Sequence, residues 1–206
     1  MRPSHGTVAN FQGTAECTEY AAIVHGKMVR IIDTPGLDDS PGPNLGILQK
    51  IAVKLHEIRE HEISAVIYFH RIISPRLTGP ARSNIEIFEQ ICGKAFLPRA
   101  LFVTTMWDMV SDAARKRYEK AQMELETKQL KSLGVNGTRF MRFDNSKELA
   151  MDVLGQCITS RHKGRFKLQL GEDVARWGTT PSDVRRTEAG KVIVRQSNRT
   201  SSCTIL

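Results

Sequence analysis

Apolar and polar positions alternate along the chain in two distinct rhythms. Residues 1–18 are polar and rich in Gly, Ser and Thr, and are expected to form a loop. A short apolar run, Glu19 to Val24, leads through His25-Gly26 into Met28–Ile32, where Val29, Ile31 and Ile32 mark a buried strand. Two strand-like runs separated by a glycine turn predict an antiparallel hairpin. The second run stops at Asp33, because Thr34-Pro35-Gly36 cannot continue a strand. From Asp38 to Gly46 the chain is loop-like. The 3.6-residue rhythm then appears, with Leu48, Ile51, Ala52, Leu55 and Ile58 on one stripe of a helix over about 45–60.

The two rhythms keep alternating. Ser64–Phe69 reads as a strand, Ala81–Cys92 as a helix facing inward through Ile85, Phe88 and Ile91, and Ala100–Val103 as another strand. Asp112–Leu133 predicts one long charged helix with Asp112 as N-cap and Gly134 as its stop. Thr138–Phe143 predicts the last strand, and Asp144 to Glu148 caps a helix running to about Ile158. Strands alternating with helices imply crossover units, hence an α/β fold of three αβα layers around a mainly parallel sheet. Ligands of such sheets lie beyond the carboxyl ends of the strands. Asp33, Asp108 and Asn145-Ser146 each follow a predicted strand at that end.

Beyond residue 160 the pattern weakens. Gly164–Trp177 predicts one amphipathic helix with Phe166, Leu170 and Val174 on its apolar face. Residues 179–206 show no periodicity and are expected to be a disordered basic tail. The expected organisation is therefore an α/β unit over 1–160, a helix over 161–178 and the tail.

Composition changes the picture in three places. With 206 residues and 40% hydrophobic content, the chain suffices for one packed core. No apolar run approaches the roughly 20 residues of a membrane helix, and the start, Met-Arg-Pro-Ser-His-Gly, has no apolar signal region. Cys17, Cys92, Cys157 and Cys203 form no Cys-x-x-Cys pair, which argues against zinc or a disulfide scaffold and suits a reducing, cytoplasmic setting. From Arg161 onward ten Lys/Arg face four Asp/Glu, so +6 of the net +8 belongs to the C-terminal part. Such a segment suits an anionic membrane surface or a solvated tail. A nucleic-acid interface is disfavoured, since the chain lacks any recognised motif or basic-aromatic strip.

The string Ile31-Ile32-Asp33-Thr34-Pro35-Gly36-Leu37 resembles the phosphate-sensing segment of P-loop GTPases. With Thr105-Met106-Trp107-Asp108 and Asn145-Ser146-Lys147, it makes residues 14–160 similar to the G domains of septin-like and immunity-associated (AIG-type) GTPases, in a fungal-looking variety. That resemblance implies guanine-nucleotide and Mg2+ binding. It puts Thr18 at the switch threonine that meets the metal and γ-phosphate, with Thr14 as the alternative. Asp33 would anchor Mg2+ through water, and the Gly36 amide would feel the γ-phosphate. Thr105 and Asp108 would read the base, and Asn145 and Ser146 would contact it unless they serve only as a helix cap. Relatives pair across the nucleotide face, which implies a homo- or heterodimer.

The pattern departs from that family twice. Met106 stands where many GTPases carry lysine; its unbranched stem can pack on a base but supplies no charge. The phosphate-cradling Gly-x-x-x-x-Gly-Lys-Ser/Thr is absent. Gly26-Lys27, Gly93-Lys94 and Gly190-Lys191 have Ala21, Phe88 and Arg185 at the first-glycine position, and none precedes Ser or Thr. The loop would belong upstream of Thr18, where 17 residues do not accommodate it with its strand and helix. A fragment, a degenerate pseudo-GTPase acting as an interaction module, and a site completed by another chain all remain compatible with the residues. Hydrolysis is expected to be impaired or absent, and no catalytic residue is assigned. The final Cys203-Thr204-Ile205-Leu206 fits a prenylation signal of the geranylgeranyl type, with Cys203 as the lipidated residue.

Overall fold

The computed structural model describes residues 14–37, 44–73, 77, 79–158 and 167–201. The hairpin forms as expected: β1 (Thr18–Val24) pairs antiparallel with β2 (Lys27–Asp33), from Thr18 opposite Asp33 to Val24 opposite Lys27. The two connecting residues, His25 (φ 47°) and Gly26 (φ 73°), are both left-handed, the combination whose twist matches that of paired strands.

Three further strands, β3 (Val66–Arg71), β4 (Ala100–Thr105) and β5 (Arg139–Arg142), form a parallel sheet in the order β3-β4-β5. Residues 100–103 of the central strand are fully buried, as a strand covered on both faces requires. On one face Tyr68, Phe102 and Phe140 form a row with centroid spacings of 5.0 and 5.3 Å, extended by Phe88 from α2 (Gly79–Cys92). On the other face Leu101 and Val103 meet Val153 and Cys157 of α5 (Lys147–Ile158). Helices on both faces make the three-layer αβα arrangement expected from the sequence.

The hairpin is not hydrogen-bonded to the parallel sheet; it is a two-stranded sheet of its own. Helices hold it in place. From α1 (Leu45–Glu57), Lys54 pairs with Glu19 at 2.7 Å and Lys50 with Glu16 at 2.7 Å. On α5, a Cβ at Gly155 would lie 2.6 Å from Nε2 of His25, so the helix approaches the turn closely.

The long charged helix is three pieces rather than one. Regular α3 (Asp112–Glu124) runs into a π-helical stretch, Leu125–Gln129, followed by α4 (Leu130–Ser132). Ser111, not Asp112, occupies the cap position. The widened turn brings Leu125, Leu130 and Leu133 together in the core cluster beneath α2. Gly134 (φ 83°) ends the segment as expected.

The C-terminal part corrects the expectation of a structureless tail. After α6 (Gln169–Trp177), α7 (Pro181–Val184) and α8 (Glu188–Ser201) follow. Val184, Ala189, Val192 and Ile193 are buried with Leu48 and Ala52 of α1, Ile87 and Ile91 of α2, and Leu170 and Val174 of α6. Four small-to-medium apolar residues among basic ones make too narrow a stripe to stand out in the sequence, yet this apolar cluster accepts them. The local start signal was present: the Thr180 hydroxyl accepts from the Asp183 N–H, the Asp183 carboxylate accepts from the Thr180 N–H, and Pro181 opens the helix. Phe166 and Cys203 lie outside the described residues. No helix among the described residues is long and apolar enough to cross a membrane.

Candidate functional site

Parallel strands end on one edge, so the segments leaving β3, β4 and β5 are neighbours. The Ile72 N–H donates to the Thr105 carbonyl at 3.1 Å, and the Phe143 N–H to the Thr104 carbonyl at 2.8 Å. Directly after β4 the backbone turns left-handed at Met106 (φ 64°), and shortly after β5 it does so at Asn145 (φ 69°). Among the described residues, only these two and His25 of the hairpin adopt that conformation without being glycine. An unbranched Met in this region is held at a cost of about 1–2 kcal/mol, and such residues gather where geometry serves a ligand.

The Met106 turn throws Trp107 inward and Asp108 outward. Trp107 is buried, its Nε1 donating to Oγ1 of Thr104 at 2.9 Å, whereas Asp108 is exposed. The guanidinium of Arg142 lies 4.4 Å from the Trp107 ring centroid, and its Nε donates to Oε1 of Gln122 at 2.6 Å. Beside them, Oδ1 of Asp144 accepts the Ser146 N–H at 3.0 Å. Hydrogen bonds from the Ser146 side chain and backbone hold the Asp144 carboxyl below its ordinary range. The Ser146 hydroxyl accepts the Leu149 N–H at 3.2 Å and so caps α5. Of the residues expected to meet a base, Thr105, Asp108, Asn145 and Ser146 are thus gathered at the ends of β4 and β5, with Ser146 serving the helix.

Asp33 closes β2 in the other sheet. Oγ1 of Thr14 donates to Oδ2 of Asp33 at 2.8 Å. Thr18 stands opposite Asp33 in the hairpin register, but its hydroxyl donates to the Glu16 carbonyl at 3.4 Å. The hydroxyl on the Asp33 carboxylate is therefore that of Thr14, the alternative candidate, rather than Thr18. Pro35 is buried and Leu37 packs on the cluster of α1 and α2, which pins the segment through Gly36 while leaving Asp33 exposed. A carboxylate with a hydroxyl 2.8 Å away is a hard oxygen pair suited to Mg2+, which takes one or two protein ligands and fills its shell with water and phosphate. No cluster of three His, Cys, Asp or Glu occurs among the described residues, so a metal held wholly by protein is not offered by them.

A shallow groove between the start of β1 and α1, lined by Glu16, Cys17, Lys50, Lys54 and Glu57 among others, carries no comparable signal. Its amines are matched by carboxylates, Lys50 by Glu16 and Lys54 by Glu57, leaving little net field for an anion.

No protein-family model matches the sequence, and no curated protein matches it. Solved structures do. The match to Toc33 from Arabidopsis thaliana in complex with Mg2+ and GMPPNP spans 92% of this chain and 75% of that one, at a TM-score of 0.50 and 18% identity. The chain shares its fold with that protein. A dimerization-deficient mutant of Toc33 matches at a TM-score of 0.49, 18% identity, over 93% of this chain and 75% of that one. In this fold the ends of β4 and β5 carry the Asp108 and Asn145 segments, and the end of β2 carries Asp33. Two features escaped the sequence reading. The stacking of Arg142 on Trp107 has no signature, since an arginine at the end of a strand is common. The left-handed turn at Asn145 was detectable in principle, because Asn tolerates it better than most residues.

Proposed function

We propose that this G domain binds guanine nucleotide with Mg2+ and works as a switch or interaction module without hydrolysing GTP by its own residues. The observation carrying this reading is the pair of left-handed turns at Met106 and Asn145, which leave Asp108 exposed beside the ends of two adjacent parallel strands. A carboxylate there accepts hydrogen bonds from guanine N1–H and N2–H, a pattern adenine does not present; charge assistance makes each such bond worth about 1.5–3 kcal/mol. Met106 contributes an apolar stem for the base in place of lysine. At the other end, Asp33 and the hydroxyl of Thr14 suit the metal, and bound Mg2+ would neutralise phosphate charge there. The Toc33 crystal containing Mg2+ and GMPPNP supports this choice of ligands.

These 206 residues carry no Gly-x-x-x-x-Gly-Lys-Ser/Thr segment, so no phosphate cradle and no catalytic step is assigned to them. The strings around Asp33 and Asp108 support placing the chain beside septin-like and AIG-type GTPases. Pairing across the nucleotide face, and tethering to a cytoplasmic membrane surface through a lipid on Cys203, complete the reading. Titration with fluorescent GTP and ATP, with and without Mg2+, tests it. GTP should bind at least tenfold more tightly than ATP and lose affinity on chelation of Mg2+. Equal affinities would overturn base recognition, and flat titrations with both would leave only the non-catalytic module.

A further inference from the structure

Arg142 joins three elements at the base-facing edge of the sheet. It leaves β5 beside Thr104 of β4, its guanidinium covers the Trp107 ring at 4.4 Å, and it is anchored to α3 through Gln122 at 2.6 Å and Glu119 at 3.5 Å. Gln122 is buried, so this anchor is a fixed point rather than a surface contact. Trp107 and Asp108 share one tight turn, Trp107–Met109, closed by the Met109 N–H on the Met106 carbonyl and the Val110 N–H on the Trp107 carbonyl. Because Trp107 and Asp108 are consecutive in so short a turn, a shift of the Trp107 backbone carries Asp108 with it, and a seated indole holds that backbone in place. The indole is fixed at its edge by the hydrogen bond to Thr104 and on one face by Arg142.

We propose that Arg142 is a positioning residue for base selectivity: by clamping Trp107 against the sheet it sets the direction of the Asp108 carboxylate, and it does so without touching nucleotide. This rests on the guanine-nucleotide reading above. A planar guanidinium suits the role, since it stacks on the indole face and hydrogen-bonds in its own plane at the same time. Released from the clamp, Asp108 keeps its charge but loses its aim, so the two-point contact with guanine suffers more than the rest of the binding. Inosine nucleotide lacks the N2 amine and reports only one of the two contacts.

The test uses the full chain carrying Trp177→Phe, which leaves Trp107 as the sole tryptophan of the original two. Affinities for GTP, ITP and ATP are measured in this background, in Arg142→Met and in Arg142→Lys, together with Trp107 emission. The preference for GTP over ITP should fall by about tenfold in Arg142→Met, as expected for loss of one charge-assisted contact. ITP affinity should stay within about twofold, Trp107 emission should shift to the red, and Arg142→Lys should recover part of the preference. An unchanged GTP-to-ITP ratio, or equal losses for both nucleotides, would overturn the positioning role alone. Failure of the parent chain to prefer GTP over ATP would instead overturn the guanine reading and this inference with it.

Discussion

The hydroxyl of Thr14 donates to the carboxylate of Asp33 across 2.8 Å, joining the segment before the hairpin to the residue that ends it. Thr18, four residues later and opposite Asp33 in the ladder, spends its hydroxyl on the Glu16 carbonyl. The two threonines therefore make different predictions. Thr14→Val should weaken Mg2+-dependent nucleotide binding by about tenfold, the scale of one hydrogen bond to a charged group, whereas Thr18→Val should change it by less than about threefold. Titration of each variant with and without Mg2+ decides; the reverse ranking would return the metal-facing role to Thr18.

Close packing of α8 on α7 leaves no room for a side chain at Gly190, where a Cβ would lie 2.0 Å from the Val184 carbonyl oxygen. Gly190→Ala should therefore destabilise the fold by about 1–3 kcal/mol through overpacking. Ile193→Ala, which empties a buried position in the same cluster, should cost about 2–4 kcal/mol. Chemical denaturation followed by circular dichroism measures both. Wild-type stability in both variants would mean that residues 181–201 do not belong to the folded unit.

Glu89 on α2 is buried, its carboxylate accepting from the amide of Gln90. Burial raises its pKa above the ordinary value, outweighing that hydrogen bond, which acts in the opposite direction. A carboxyl that holds its proton more tightly when folded adds stability below its unfolded pKa, and this is lost as pH rises through the folded value. At neutral pH the charged form is penalised. Glu89→Gln should accordingly raise the melting temperature by about 2–4 °C at pH 7, with the gain vanishing near pH 4. A gain independent of pH would contradict this origin.

Much of this fold is legible in the residues because its determinants are local. Ala100–Val103 is apolar enough to mark a central strand, His25-Gly26 marks the hairpin turn, Gly134 marks the end of the charged helical segment, and the alternation of rhythms gives the three layers. What escaped depends on partners distant in sequence. The burial of Val184, Ala189, Val192 and Ile193 is set by the surfaces of α1, α2 and α6. The π-helical stretch at Leu125–Gln129 answers to the core beneath α2 rather than to its own charged sequence. That the hairpin stands apart from β3 follows from pairing that no single strand encodes. At the site, Asp33 and Asp108 stand out by motif, while the left-handed turn at Met106 and the clamp by Arg142 do not, because a methionine and an arginine carry no local mark of either role.

Direct titration calorimetry of the wild type and Asp108→Asn with GTP and XTP tests the central claim most squarely. An amide at this position keeps the shape but exchanges an acceptor for a donor, complementing the extra carbonyl of xanthine. Wild type should favour GTP, and Asp108→Asn should lose at least tenfold in GTP affinity, about 1.4 kcal/mol, while gaining affinity for XTP. GTP affinity unchanged by the substitution, with no gain for XTP, would contradict that claim.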